Sequence, residues 1–251
     1  MKKLANSIIS ITFFVFVFSV NVSANAKSIT LTAKDGFNLT ASYYQASSAS
    51  NRAVLMLHQC NLDRTMYNDI GRQLAQQGVH ALALDFRGFG QSISDDFDVS
   101  KIAKLSKTEG DKMWLNITSH WPSDVQQAYR FLQKKANSTN FVGVIGASCG
   151  GYEVINLAEK NNIAVMGFFS SEQSDENIHR YQKLNTKPTL IIAAENDEYT
   201  YQSAKKLFSL AKNSSSQFML YKGNEHGYPL LNKDRWLAKK IAYWFNDNLT
   251  L

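Results

Sequence analysis

The sequence predicts a single α/β domain built on a mostly parallel sheet. Short β-like runs alternate with longer segments of helical spacing, which is the pattern of βαβ units with right-handed crossovers. Most of the short runs are apolar throughout, as strands covered on both faces require. The chain is 251 residues long, with 44% hydrophobic and 19% charged residues. That is enough for one sizeable core, and no internal repeat suggests a solenoid.

The elements follow in order. "SITLTA" (28–33) and "LTASYY" (39–44) flank Asp35-Gly36, a turn signal, and read as an opening hairpin. "AVLMLH" (53–58), "HALALD" (80–85), "FVGVIG" (141–146), "AVMGFF" (164–169) and "TLIIAA" (189–194) read as buried strands, with "QFMLY" (217–221) as the last. Helices are expected over 65–77, with Met66, Ile70, Leu74 and Ala75 on one side, and over 123–134, introduced by Pro122-Ser123-Asp124. Further helices are expected over 149–159, 175–184, 200–212 and 232–247. Residues 91–121 contain no β-like run. They read either as a small lid or pocket wall carrying Phe97, Met113, Trp114 and Trp121, or as a surface excursion with its own minor core.

Residues 1–26 read as a secretory leader ahead of a single domain over 27–251. Lys2 and Lys3 precede an apolar run over 8–20, and Ala24-Asn25-Ala26 supplies a small-residue cleavage site. The run is shorter than the roughly 20 residues of a spanning helix, so no membrane anchor is expected after cleavage. The expected location is the periplasm or the exterior, and a monomer is expected. The formal charge of +6 is mild, and no dense Lys/Arg run suggests a nucleic-acid groove. No C-x-x-C or His/Cys cluster has metal spacing, so no metal site is expected.

The chemistry gathers around "GASCGG" (146–151). Gly146-x-Ser148-x-Gly150 lies between a strand and a helix, as a nucleophile elbow does. Glycines two positions either side let the sharp turn close, and the hydroxyl reaches the carboxyl edge of the sheet at a helix N-terminus. Such a serine needs an acid and then a histidine further along the chain. Asp197 follows the strand at 189–194, and His226 follows the strand at 217–221. All three loops reach the same edge. His226 is the candidate general base, and Asp197 its orienting acid, with Glu172 as a rival. The amide of Cys149 is one candidate oxyanion donor; the amides of Gln59 or Cys60, in the loop after 53–58, are the others.

With these residues in place, the chain resembles the α/β-hydrolase superfamily. The resemblance runs from about 28 to 250 and rests on "VLMLHQ", "LAQQGVHALALDFRGFGQS", "DVQQAYRFL", "VIGASCGG", "PTLIIAAENDEYT" and "NEHG". It is similar in flavour to the small lidless esterase-like members related to dienelactone hydrolases. The resemblance implies an eight-stranded sheet, a Ser-Asp-His triad and no cofactor, with Asp85 and Arg87 structural. It also implies differences. The family often has His-Gly where this chain has His58-Gln59, and dienelactone hydrolases carry Cys at the position of Ser148. If Cys60 and Cys149 both belong to the oxyanion loops, the fold brings them close enough for a disulfide. The expected function is an exported serine hydrolase acting on small carboxylic esters through an acyl-enzyme. A serine peptidase and a non-catalytic binding module on the same scaffold are the competing readings.

Overall fold

The computed structural model describes residues 25–138 and 140–249. The leader read over 1–26 therefore lies outside the described residues, save for its last two positions. β1 (Lys27–Thr32) and β2 (Asn38–Tyr44) form the opening hairpin. They are followed by β3 (Ala53–Leu57), β4 (His80–Leu84), β5 (Val142–Ala147), β6 (Met166–Phe169), β7 (Thr189–Ala194) and β8 (Gln217–Tyr221). Among the described residues these make one eight-stranded sheet of order β1-β2-β4-β3-β5-β6-β7-β8. β2 runs antiparallel to β1 and β4; every other pairing is parallel. The carboxyl ends of β3, β5, β7 and β8 therefore share one edge.

The helices cover both faces because the strands are apolar on both. One face places Leu55, Leu57, Val142, Val144 and Phe168 in a single cluster with residues of α3 (Trp121–Ala136), α4 (Gly150–Lys160), α5 (Asp175–Tyr181) and α6 (Glu198–Leu210). The other places Val54, Met56, Ile145 and Ile192 with α1 (Asn68–Gln76) and α8 (Leu237–Asn248). Alternate residues of β3 thus enter opposite clusters, as a period of two demands. Each fully buried Leu or Ile contributes roughly 1.5–3 kcal/mol relative to an exposed one.

Three predicted helices differ from the observed ones. The segment at 65–77 opens with a 3-10 turn at Arg64–Tyr67 and becomes α-helical only at Asn68. The helix expected over 175–184 ends at Tyr181. The helix expected over 232–247 is two, α7 (Pro229–Lys233) and α8, separated at 234–236. Asp234 makes the break: its Oδ1 accepts the Trp236 amide at 2.9 Å and its Oδ2 accepts the Tyr221 hydroxyl at 2.8 Å. A short acidic side chain bonded to nearby backbone competes with the helix.

Residues 91–121 hold a 3-10 turn at Val99–Lys104 and a helix, α2 (Lys107–Ser119). Only Gly110 and Ile117 of α2 are buried, so its apolar period is faint. A capping box starts it: Ser106 Oγ accepts the Glu109 amide and Glu109 reaches back to the Ser106 amide. Trp114 meets Trp121 with ring centroids 5.6 Å apart, and Phe97 meets Phe37 at 5.4 Å. Arg87 locks this region to the hairpin. It is buried, bonded twice to Asp35 (2.6 and 2.9 Å) and twice to Asp124 (3.0 and 2.9 Å). Phe37 and Phe97 cover it at 4.4 and 4.9 Å. Asp85 binds Arg64 and accepts the Gln91 amide at 2.8 Å. Arg87 and Asp85 are thus bound up in scaffold contacts.

Candidate active site

The turn after β5 is tight. Ser148 has φ +49, an uncommon conformation for a residue with a side chain. The approach is so close that a Cβ on Gly146 would collide with the backbone of Gly150, and one on Gly150 with the carbonyls of Leu57 and His58. The elbow is also held from its neighbours: the Ser148 amide donates to the Phe169 carbonyl at 2.9 Å, and Ser171 Oγ donates to the Ser148 carbonyl at 2.7 Å. Gln173 Nε2 in turn donates to Ser171 Oγ at 2.7 Å.

Ser148, Asp197 and His226 are brought together from three loops. Ser148 Oγ is 2.9 Å from His226 Nε2, and His226 Nδ1 is 2.8 Å from Asp197 Oδ2. A carboxylate only accepts, so Nδ1 carries the proton and Nε2 accepts from the serine hydroxyl. The set is reachable from solvent, with 39% of the His226 side chain exposed against 16% for Asp197. Glu172, the rival acid, is exposed after β6, and the His226 Nδ1 proton goes to Asp197 instead.

The loop after β3 faces the elbow. Cys60 and Cys149 form a disulfide, with Cα atoms 5.9 Å apart across 89 residues of sequence. Cys149 therefore carries no thiol. Among the described residues, the amides of Gln59, Cys60 and Cys149 donate to no protein acceptor. His58 sets the start of this loop. The Phe86 amide donates to its Nε2 at 3.0 Å, so Nδ1 is the protonated nitrogen and donates to the Gln59 carbonyl at 2.8 Å. Burial pushes the His58 pKa down, which keeps the ring neutral.

Sequence reasoning missed the supports. Ser171 and Gln173 follow β6 and have no motif; only the fold puts them under the elbow. Glu153, in the first turn of α4, is buried, and burial pushes its pKa up to about 7. Among the described residues there is no group of His, Cys, Asp and Glu that could hold a metal ion. A cleft of about 870 Å³ lies elsewhere, between β8 and α8, lined by Phe218, Leu220, Trp236 and Tyr243. It contains none of the three bonded residues.

A strained serine on a parallel sheet edge, bonded through histidine to aspartate, is the arrangement of an α/β-hydrolase. The chain matches the dienelactone hydrolase family over residues 39–243 and belongs to that family. Its fold is similar to that of a cold-adapted esterase from an Arctic intertidal metagenomic library, with 18% identity and a TM-score of 0.68, covering 92% of this chain and 97% of the other. It is similar also to a dienelactone hydrolase of Anabaena variabilis (16%, TM-score 0.66, 91% and 100%) and to an esterase of Pyrococcus furiosus (18%, 0.64, 91% and 94%). At these identities the likeness is one of fold. A comparison with curated protein sequences finds no significant match.

Proposed function

We propose that this protein is an exported serine hydrolase that cleaves small carboxylic esters through an acyl-enzyme. The observation that carries the reading is the unbroken bonded path Ser148–His226–Asp197, 2.9 and 2.8 Å, at the sheet edge. Ser148 Oγ attacks the ester carbonyl carbon as its proton passes to His226 Nε2. The carbonyl π pair moves to oxygen, and the amides of Cys149 and of Gln59 or Cys60 hold that oxyanion. Such a donor stabilises the transition state by roughly 3–4 kcal/mol. Collapse breaks the bond to the alcohol oxygen, which takes the proton from His226. Water then repeats the sequence and releases the acid. Asp197 stabilises the imidazolium in both halves.

The cysteine beside the nucleophile supports serine as the reacting residue, because a sulfur held in a disulfide offers no thiolate. The same disulfide supports export, since such bonds persist in oxidising compartments. The leader pattern points the same way, toward a periplasmic or secreted protein.

A fluorophosphonate probe and a p-nitrophenyl acetate assay test this. Wild type is expected to label and turn over, and Ser148→Ala to lose both by about 10⁴-fold or more with an unchanged fold. Full activity in that variant sinks the assignment. Cleavage of a dipeptide anilide in preference to the ester indicates a peptidase; no labelling at all indicates a binding module.

A further inference from the structure

Gln59 enters the sequence argument only as a backbone amide, at a position where the family often has glycine. The residue is 2% exposed, and its side chain reaches across to the chain beside His226. Oε1 accepts the Tyr228 amide at 2.8 Å, 169 residues away, and Nε2 donates to Asn61 Oδ1 at 2.6 Å. The orientation of the amide follows from its partners, because a backbone N–H can only donate. Gly227 has φ +68, and a Cβ there would collide with Gln59 Oε1. The chain next to His226 is therefore wrapped directly on the Gln59 carboxamide.

Around it, the His226 loop is tied by the imidazole bond to Asp197, by the Asn196 amide on the Gly223 carbonyl and by the Leu230 amide on the Gly227 carbonyl. Among the described residues, the amides of Asn224, Glu225, His226 and Gly227 donate to no backbone carbonyl. Lys233 Nζ bonds both Glu225 carboxylate oxygens (2.7 and 2.8 Å) and the Lys222 carbonyl (2.6 Å), but the two side chains are 41% and 28% exposed, and an ion pair so placed is screened by water. The α7 helix that follows has no side-chain cap of its own. The buried Gln59 bond lies two residues from the imidazole, on a segment whose next residue is bolted to the elbow through the disulfide.

We propose that Gln59 is a positioning residue for His226: it transmits the rigidity of the disulfide-bonded loop to the base loop and so holds Nε2 at bonding distance from Ser148. This rests on the hydrolase reading above. The step it serves is proton transfer, where a displacement of about 1 Å can cost roughly 10²-fold in rate.

The test uses the whole mature chain. Gln59→Met keeps length and apolar stem but removes the acceptor; kcat for p-nitrophenyl acetate is expected to fall about 10- to 100-fold, with KM within about threefold. Gln59→Glu restores an acceptor for the Tyr228 amide and is expected to regain much of the loss. In a His226→Ala background, Gln59→Met is expected to add no further loss, because its effect runs through the imidazole. Amide hydrogen exchange over 224–228 reads the tether without reference to turnover. It is expected to quicken at least about tenfold in Gln59→Met, while 146–151 is unchanged. Should Gln59→Met fail to fold, Asn61→Ala frees the carboxamide to turn and is expected to move both readouts the same way, by less. Wild-type kcat in the folded variant, an equal loss in the His226→Ala background, or unchanged exchange over 224–228 overturns the proposal. An inactive, unlabelled wild type with quickened exchange in the variant overturns the hydrolase reading and leaves the tether standing.

Discussion

Ser148 and His226 stand 2.9 Å apart but are held by different kinds of bond. The serine lies in a turn packed too closely at Gly146 and Gly150 to admit a Cβ, and held by a disulfide and by hydrogen bonds from Ser171 and to Phe169. The histidine lies in a loop whose own amides find no backbone partner and which side chains hold from outside. In the proposed mechanism, a nucleophile that must keep a strained φ needs support on every side. A base that swings its proton between two oxygens needs only to be brought within reach. The strain and the bolting thus sit together, and the lighter tethering sits where the proposed mechanism moves the proton.

Removing the bolt is expected to have the largest effect on stability. Cys60→Ser with Cys149→Ser opens a long covalent loop and should cost about 2–5 kcal/mol in urea unfolding. Hydrogen exchange over 58–61 should then approach that of the His226 loop. If stability and exchange both stay at wild-type values, the contrast between the two halves does not rest on the disulfide. Thiol titration of the native, unreduced protein should return no free thiol.

Glu153 gives the nucleophile half a pH dependence. Burial raises its folded pKa from 4.5 to about 7, so the native state holds the proton more tightly than the unfolded chain does. The stability tied to that proton is complete below 4.5 and is lost as pH rises through 7. The loss by pH 8 is on the order of 3 kcal/mol. Glu153→Gln should therefore gain stability over wild type as pH rises from 5 to 8. A difference that stays flat across that range means the carboxyl does not titrate there. Asn156 satisfies one oxygen and the other has no partner, which is why ionising it is unfavourable.

The smallest effect is expected at Lys233→Ala. Its side chain and that of Glu225 are 41% and 28% exposed, so water screens the pair and turnover should stay within about twofold of wild type. A loss as large as that of the Gln59 variant would mean that the exposed tie, and not the buried one, holds the base loop.

Much of this was legible from residue order. The eight runs read as strands are the eight strands of the sheet, because continuous apolar stretches have no stable place except between two helical layers. Ser148, Asp197 and His226 could be nominated because each follows a strand of the same parallel sheet. The helix at Lys107–Ser119 was missed, although Ser106 and Glu109 announce it, because attention to apolar period passes over a helix that buries two residues. The break at Asp234 was missed because it depends on Tyr221 and Lys240 as much as on the aspartate itself.

The sequence alone determines the layered α/β architecture and the edge at which Ser148, Asp197 and His226 converge, since apolar pattern and chain order are local properties. Family resemblance adds the expectation that Cys60 and Cys149 meet. Only the tertiary structure decides that Asp197 and not Glu172 takes the imidazole, that Ser171 braces the elbow, and that the Gln59 carboxamide reaches Tyr228. Those outcomes depend on distances between segments that adjoin only after the strands have paired, and no local pattern encodes them.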